Sequence, residues 1–330
     1  MNWYRSQMIR YLSPLKQLVR IGVRNSSNMA CERLNESSAK KLLAGADSFL
    51  FDCDGVLWDG RGVIPGSLET IKKLKALGKK VFYVTNNSSK TRDGYLQKAK
   101  QFGFPATVDE IVCTAYIAAL YLKNKQFKGK VFVVGNTAMG QELDAVGIAH
   151  TGIGPAPTVG GIPDWVDLKW DSDIKCVLVG FDADISYMKI LRAASYLQRP
   201  ECLFVGTNED THLPVNNSAT RIPGTGTMVI AVAFPAQRKP VIVGKPEPPM
   251  FEELKKLHNL NSDRCVMVGD RLESDIGLAK SCGLKSMLVL SGVTSEAELP
   301  KPNPAQATGS DIPVVPDFYT NCLGDLGKFI

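Results

Sequence analysis

The first strong pattern in the chain is a short apolar run that ends in two acidic residues. Phe49, Leu50 and Phe51 are consecutive apolar positions, and Asp52 and Asp54 follow directly. A continuous apolar run of this kind predicts a buried strand of a parallel sheet that runs into a loop at its acidic end. In open α/β sheets, ligands bind at the carboxyl ends of the strands, so these two carboxylates are candidates for chemistry.

Strands and helices alternate through the rest of the chain. Apolar residues at helical spacing predict helices at 67–77, 137–147 and 186–197, and two more between 92 and 122. Apolar runs predict strands at 80–85, 130–135, 175–180, 203–206, 240–244, 264–269 and 285–290. A strand, a helix and a second strand at this spacing imply a right-handed parallel crossover. The sequence therefore predicts an α/β fold with a parallel sheet.

Polar or charged side chains follow four of the predicted strands. They are, in chain order, Asp52 with Asp54, Thr85 with Asn86 and Asn87, Lys245, and Asp270 with Asp275. Each group taken alone has an ordinary interpretation as a turn, a helix cap or a solvent-facing lysine. Two carboxylates that lie close together repel each other, and a divalent cation or a shared proton is the usual remedy. One phosphoryl-transfer site explains all four groups together.

The net charge of the chain is concentrated in its first 30 residues. The whole chain has a formal net charge of +6, but residues 1–30 hold five basic side chains and no acidic one, which leaves +1 for the rest. A basic, acid-free leader with interleaved apolar residues is typical of an amphipathic targeting peptide, for example a mitochondrial one. The alternative is that the functional chain begins at Met29. A near-neutral body without a basic stripe argues against nucleic acid as a partner.

Hydropathy and cysteine use bear on the compartment. No apolar run approaches the length of a membrane span, so we expect no membrane association. The eight cysteines are scattered, with no CxxC pair and no histidine cluster beside them, which argues against a zinc site and against a disulfide framework. We therefore expect a protein of a reducing compartment, cytoplasmic unless the leader directs it to the mitochondrion.

A loop-rich segment and a second α/β pattern indicate an inserted domain. Residues 151–172 are rich in glycine and proline, and the stretch around them repeats strand and helix without a second acidic group. We expect a leader at 1–30, a core in two parts at 31–112 and 229–330, and an inserted domain at 113–228. Gly224-Thr225-Gly226 opens a helix but lacks the third glycine of a dinucleotide fingerprint, which argues against a nucleotide cofactor there.

The groups at the strand ends resemble the four motifs of phosphatases of the haloacid dehalogenase (HAD) superfamily. The matching residues are Asp52-Cys53-Asp54-Gly55-Val56, Thr85-Asn86, Lys245, and Gly269-Asp270 with Asp275. Within that superfamily, the wider stretches are similar to the phosphoglycolate phosphatase and pyridoxal phosphatase branch, from about residue 30 to the C-terminus. The resemblance implies a Rossmann-like parallel-sheet core with a large inserted α/β cap domain of the C2 type. It also implies a homodimer formed through the cap.

The same resemblance implies a metal-dependent hydrolysis of a phosphate monoester. Asp52 is expected to attack phosphorus and form an aspartyl phosphate, and Asp54 to act as general acid and then general base. Mg²⁺ is the expected cofactor, because attack on a dianion by a carboxylate requires that charge be neutralised. Its expected ligands are the carboxylates of Asp52 and Asp270 and the backbone carbonyl of Asp54, with Asp275 helping from the outer shell.

The remaining motif residues are expected to bind the phosphoryl group of a small phosphorylated metabolite. By resemblance, Thr85, Asn86 and Asn87 contribute to holding its oxygens. Lys245 is expected to offset the negative charge that develops in the transition state.

The resemblance leaves two small phosphate esters open as substrate. In this branch one residue of a cap loop separates the activities, and pyridoxal phosphatases tend to have histidine there whereas phosphoglycolate phosphatases have leucine. Aligned on Pro214, Leu213 takes that position, but His212 lies one residue earlier, and a slip of one residue would reverse the assignment. We expect hydrolysis of 2-phosphoglycolate. The alternative is pyridoxal 5′-phosphate, or a broader set of metabolites and phosphoproteins.

Two functions of a different class fit part of the pattern. A phospho-receiver domain also places an acidic pair, a threonine and a lysine on a parallel sheet, but it needs neither the pair Asp270 and Asp275 nor an inserted domain of this size. A non-catalytic scaffold descended from a phosphatase is the second alternative. Loss of a motif residue would be its simplest signature, and every motif residue is present.

Overall fold

A computed structural model of the chain describes residues 31–213, 219–299 and 314–330. The predicted leader at 1–30 and Pro214, the reference point for the Leu213 alignment, lie outside the described residues. Two parallel sheets organise the described chain, one with seven strands and one with five. We call them the first sheet and the second sheet.

The strands and helices of the described residues are as follows. The strands are β1 (Glu32–Arg33), β2 (Ser48–Asp52), β3 (Trp58–Asp59), β4 (Gly62–Val63), β5 (Lys80–Thr85), β6 (Ile111–Cys113), β7 (Lys130–Val134), β8 (His150–Thr151), β9 (Ile174–Val179), β10 (Leu203–Gly206), β11 (Val241–Ile242), β12 (Cys265–Gly269), β13 (Lys285–Val289) and β14 (Phe318–Thr320). The α-helices are α1 (Glu36–Gly45), α2 (Ser67–Ala76), α3 (Arg92–Gln101), α4 (Thr114–Asn124), α5 (Thr137–Asp144), α6 (Ile162–Val166), α7 (Tyr187–Tyr196), α8 (Thr225–Ala236), α9 (Pro249–His258), α10 (Gly277–Cys282) and α11 (Leu323–Gly327).

The first sheet forms the core and has the strand order β1-β14-β13-β12-β2-β5-β6, with every neighbouring pair parallel. Strand β2 lies in its interior, between β12 and β5. Its side chains Phe49, Leu50 and Phe51 are fully buried, as the apolar run predicts. The predicted parallel α/β core is confirmed.

The sequence pattern does not predict strand β6. Between 92 and 122 it predicts two helices, and both are present as α3 and α4, but Ile111–Cys113 pairs in parallel with β5 just before α4 begins. Three apolar residues directly before a helix are too few to show the two-residue period of a strand.

The second sheet belongs to the inserted domain and has the order β11-β10-β9-β7-β8, again all parallel. The predicted end of this domain at 228 falls inside helix α8, and β11 pairs with β10. The end therefore moves to about residue 242. The reason is topological: α8 connects β10 to β11, and such a crossover joins strands of one sheet. The same segment, 240–244, leads directly to Lys245, and the pattern therefore assigns it to the core.

The register of the first sheet places the predicted site residues at one edge. Asp52 pairs with Val84, and Phe51 with Val268, so β2, β5 and β12 end at the same level. Asp52, Thr85 and Asp270 consequently meet at the carboxyl edge of this sheet.

None of the helices in the described ranges combines the length and apolar character needed to cross a bilayer. All eight cysteines lie in these ranges and are free thiols.

Candidate active site

Three carboxylates converge at the carboxyl edge of the first sheet. One oxygen each of Asp52, Asp270 and Asp275 lies within 4.8 Å of the others. Asp52 ends β2, and Asp270 follows β12, so two central strands aim these side chains at one point. Gly292 leaves the room for this arrangement, since a Cβ there would lie 1.9 Å from Oδ2 of Asp270.

Backbone amides fix the orientation of the two later carboxylates. Oδ2 of Asp275 accepts hydrogen bonds from the amides of Asp270 and Arg271, both at 3.1 Å, which ties it to the end of β12. Oδ2 of Asp270 accepts from the amide of Val293 at 2.7 Å, in the loop after β13. Each side chain therefore has one oxygen held by the backbone, and the other oxygen of Asp275 lies 2.7 Å from Nζ of Lys245.

Lys245 is the cation of this cluster and is buried, with 3% of its surface exposed. Its Nζ donates to Oδ1 of Asp52 at 2.5 Å and lies 2.7 Å from Oδ1 of Asp275, an ion pair whose angle falls outside hydrogen-bond geometry. The predicted convergence of Lys245 with Asp52, Asp270 and Asp275 is what the geometry shows.

The pKa values reflect three acids close to one another and to a buried lysine. Burial, followed by repulsion from Asp275 and Asp270, raises the pKa of Asp52 well above its usual value, although Lys245 opposes the shift. Burial and Asp275 raise the pKa of Asp270 to about 6. Burial disfavours the charge of Lys245, but Asp275 and Asp52 outweigh it and raise its pKa.

The cluster fits a small, hard cation. With the acids ionised, three carboxylates and one ammonium carry a net charge of −2, in a site where charge is costly to leave unbalanced. The three side chains offer carboxylate oxygens, the ligand type that magnesium and calcium prefer. Asp52, Asp270 and Asp275 are the residues positioned to hold such an ion.

Asn86 holds the backbone of Lys245 through two hydrogen bonds. Its Oδ1 accepts from the amide of Lys245 at 2.8 Å, and its Nδ2 donates to the carbonyl of Lys245 at 2.9 Å. Nearby, Oγ1 of Thr85 accepts from the amide of Asn87 at 3.2 Å, and Oδ1 of Asn87 accepts from the amide of Ser89 at 2.7 Å. Phosphate binding by these three residues stays a prediction, and the bracing role of Asn86 is an addition to it.

Asp54 lies outside the carboxylate cluster. Its Oδ1 accepts from Nε1 of Trp58 at 3.0 Å and from Nζ of Lys98 at 3.1 Å, and 40% of its side chain is exposed. The side chain of Asp54 is therefore not part of the group formed by Asp52, Asp270 and Asp275. Metal binding by the backbone carbonyl of Asp54 stays a prediction.

A loop of the inserted domain reaches this edge through Asp210, which sequence reasoning missed. Oδ2 of Asp210 accepts from Nδ2 of Asn86 at 3.2 Å and from Nδ2 of Asn208 at 2.7 Å, and Oδ1 lies 3.9 Å from the guanidinium of Arg271. The signal that could have found it is the polar stretch after β10, because it occupies the carboxyl end of a strand in the second sheet.

His212 and Leu213 follow Asp210 in this loop. His212 forms an antiparallel bridge with Pro223, and the amide of Leu213 donates to the carbonyl of Ile222 at 3.0 Å. Neighbouring residues of an extended segment point to opposite sides, so the side chains of His212 and Leu213 face opposite sides of this loop. Gly224 permits the pairing, since a Cβ there would lie 2.1 Å from the carbonyl oxygen of Asp210.

Comparison with known proteins gives consistent matches to one family. Residues 49–149 match the family model described as haloacid dehalogenase-like hydrolase, and residues 242–319 match one described as HAD-hydrolase-like. The human glycerol-3-phosphate phosphatase is 44% identical over 90% of this chain and 94% of its own length. Phosphoglycolate phosphatase 2 of Arabidopsis thaliana is 36% identical over 92% of this chain and 99% of its own length.

A solved structure extends the match to the fold. The glycerol phosphate phosphatase from Mycobacterium tuberculosis, determined in complex with magnesium, superimposes with a TM-score of 0.69 at 27% identity, over 86% of this chain and 77% of that one. These relatives decide between the classes that the sequence leaves open, in favour of a phosphoric monoester hydrolase over a phospho-receiver or a scaffold. The chain belongs to the haloacid dehalogenase superfamily of phosphatases.

Proposed function

We propose that the protein is a magnesium-dependent phosphomonoesterase that acts on a small phosphorylated metabolite through an aspartyl phosphate on Asp52. The convergence of Asp52, Asp270 and Asp275 around the buried Lys245 carries this proposal. It supplies a nucleophile, an oxygen-only metal site and a cation in one place. The likeness to a phosphatase structure solved with magnesium supports the choice of metal.

The residues act in a defined order. A carboxylate oxygen of Asp52 attacks phosphorus, the bond from phosphorus to the ester oxygen breaks, and Asp54 gives its proton to the departing alkoxide. Water then attacks the phosphorus of the aspartyl phosphate, Asp54 takes a proton from it, and the carboxylate of Asp52 is regenerated. Lys245 stays charged and stabilises the negative charge that builds up on the phosphoryl oxygens.

The carboxylates of the cluster would also bind the metal ion. Magnesium, held by Asp52, Asp270 and Asp275 together with the backbone carbonyl of Asp54, would neutralise the charge of the phosphoryl oxygens. The backbone amides that orient Asp270 and Asp275 keep both carboxylates in place for that ion. Without it, a dianionic ester would meet a cluster of net negative charge.

We propose 2-phosphoglycolate as the preferred substrate, on the assignment of Leu213 to the discriminating position of the cap loop. Glycerol 3-phosphate is the second candidate, because the human relative named for it is 44% identical. If His212 is the residue that faces the substrate, we expect pyridoxal 5′-phosphate instead. All three present the same phosphoryl group, so the loop must recognise the leaving group.

Phosphate release is the direct test. The full chain would be assayed with 2-phosphoglycolate, glycerol 3-phosphate, pyridoxal 5′-phosphate and p-nitrophenyl phosphate, each with magnesium and with EDTA. We expect magnesium-dependent release from at least one alkyl phosphate, highest for 2-phosphoglycolate. A clear preference for pyridoxal 5′-phosphate would overturn the substrate assignment, and release that is indifferent to EDTA would overturn the metal.

We also propose a homodimer formed through the inserted domain. This domain exposes Val159, Ile162 and Val166 in and around its loop-rich segment, and exposed apolar side chains in one stretch favour an interface. Light scattering of the purified chain would test it. A monomeric mass at micromolar concentration would exclude a stable dimer.

A further inference from the structure

The side chain of Asp54 has two donors that the mechanism above does not use. Nε1 of Trp58, on strand β3, lies 3.0 Å from Oδ1 of Asp54, and Nζ of Lys98, on helix α3, lies 3.1 Å from the same atom. The ammonium of Lys98 also lies 4.9 Å from the centre of the Trp58 ring. The three side chains therefore form one contact group beside the cluster of Asp52 and Lys245.

The two donors differ in burial. Trp58 has no exposed surface, and its ring packs against Phe102 at 5.6 Å and Phe104 at 5.5 Å between centroids. Its backbone amide lies 3.2 Å from the carbonyl oxygen of Cys53 and donates to it, so the turn that carries Asp54 also carries its partner. Lys98 is partly exposed and adds a charge from a helix that is distant in sequence.

We infer that Trp58 and Lys98 form a clamp that positions the carboxyl group of Asp54 for proton transfer to the leaving group. This inference rests on the proposed function, in which Asp54 is the general acid. In the described ranges both donors bind Oδ1, and no donor binds Oδ2. Oδ2 is therefore the oxygen that carries the proton, and the clamp sets its direction. Trp58 and Lys98 are positioning residues, since they act on the substrate only through Asp54.

The proton balance of the cycle is closed. When the bond between phosphorus and the ester oxygen breaks, the electron pair stays on that oxygen, which takes the proton from Oδ2 of Asp54. In the second half, the attacking water gives a proton back to Oδ2 as its oxygen bonds to phosphorus. The clamp thus ends each cycle in the state in which it began.

The leaving group supplies a readout that a purely structural role would not change. An alkoxide such as that of glycerol is a strong base and needs a proton as it departs, whereas p-nitrophenolate is a weak base and departs without one. General acid catalysis is worth roughly 10²–10⁴-fold where the leaving group needs it. A badly placed Asp54 should therefore slow alkyl phosphates much more than p-nitrophenyl phosphate.

The experiment compares variants on these two classes of ester in the magnesium-loaded enzyme. K98M keeps most of the aliphatic stem of the lysine, K98R keeps the charge, and W58F keeps a ring in the core but removes the donor. K100M, on the exposed face of the same helix, is the matched control, and D54N is the reference for complete loss of the acid.

We expect K98M and W58F to lower kcat/KM for both glycerol 3-phosphate and 2-phosphoglycolate by about tenfold, and kcat/KM for p-nitrophenyl phosphate, which includes the same phosphoryl transfer but needs no proton, by less than about threefold. K98R should recover part of the loss, and K100M should behave as the unmodified enzyme. D54N should also lose more activity on alkyl esters than on p-nitrophenyl phosphate, and this loss should be larger than in K98M or W58F.

Three results would overturn the clamp. Equal losses on both classes in K98M and W58F, when D54N is biased, would mean that the two residues do not act through Asp54. A rise in KM for 2-phosphoglycolate alone would mean that Lys98 binds the carboxylate of that substrate instead. A D54N variant without bias would remove the general-acid assignment in the proposed function, and the clamp with it. Since W58F changes the core, K98M decides the matter if W58F does not fold.

Discussion

Two regions at the same edge of the molecule are built in opposite ways. The cluster of Asp52, Asp270 and Asp275 is held by the ends of buried strands and by backbone amides, whereas Asp210, His212 and Leu213 lie on a partly exposed loop of the inserted domain. In the proposed function the first region handles the phosphoryl group, because its carboxylates converge around the buried Lys245. In the second, Asp210 contacts Asn86, which holds the backbone of Lys245, whereas His212 and Leu213 pair with Pro223 and Ile222. We therefore expect substitutions at His212 and Leu213 to change substrate choice without changing the chemistry.

The largest effect is expected at the nucleophile. D52N should abolish phosphate release, by on the order of 10⁴-fold or more, because no aspartyl phosphate can form. The fold should survive, since the change removes one charge from a net negative cluster, and circular dichroism and thermal unfolding would check this. Retained turnover would refute the assignment of Asp52.

Removal of the buried cation should damage both activity and stability. K245M leaves Asp52 and Asp275 buried without their partner, and breaking a buried ion pair from one side costs about 3–5 kcal/mol. We expect the free energy of unfolding in urea to fall by about that amount in EDTA, and by less in magnesium, which replaces part of the positive charge. K100M serves as the exposed-lysine control.

If K245M is as stable as the unmodified chain in EDTA, the carboxylates are not ionised in the folded protein. The electrostatic description of the cluster would then be wrong.

The pKa of Asp270 gives a pH dependence of intermediate size. Because it is raised to about 6, the folded, metal-free chain binds more protons than the unfolded chain between about pH 4 and 6. The free energy of unfolding should therefore fall as the pH rises through that window, by about 2 kcal/mol for this group. Urea unfolding of the unmodified chain and of D270N, both in EDTA across this pH range, would isolate the contribution of Asp270.

With saturating magnesium, the dependence of the free energy of unfolding on pH between about pH 4 and 6 should change, because the ion stabilises the folded chain. The ion competes with the proton for the carboxylate, so magnesium should bind more weakly as the pH falls below about 6. The raised pKa of Asp270 would be contradicted if the difference in the free energy of unfolding between the unmodified chain and D270N does not change with pH in EDTA.

The smallest effect is expected in the loop. L213H should shift the ratio of kcat/KM for 2-phosphoglycolate and pyridoxal 5′-phosphate by about tenfold, the size that one contact in a binding pocket can supply. H212L, on the opposite side of the same extended segment, is the matched control and should leave the ratio nearly unchanged. If H212L shifts the ratio and L213H does not, the alignment is off by one residue.

The same contrast explains how much the sequence predicts. The buried strand 48–52 and the groups that follow it are evident because apolar runs and motif spacing are local signals. The strand at 203–206 is predicted with its observed bounds for the same reason. Such signals also bring Asp52 and Asp270 together, since parallel strands of one sheet end at one edge, whereas Lys245 follows β11 of the second sheet.

Contacts that join distant segments carry no local signal. Lys98 reaches Asp54 from a helix 44 residues away, and Asp210 reaches Asn86 across 124 residues. A helical lysine and a loop aspartate look like ordinary solvated residues in the sequence. The sheet to which β11 belongs could not be predicted for the same reason. Its place in the second sheet is set by pairing with β10 and not by its own residues.

Trapping the covalent intermediate tests the central claim most directly. The full chain with magnesium and a turned-over alkyl phosphate would be acid-quenched within one turnover, digested and examined by mass spectrometry. We expect a phosphoryl group on the peptide that contains Asp52, and none on that peptide in D52N. A phosphoryl group on another side chain, or turnover without any phosphorylated peptide, would contradict the account.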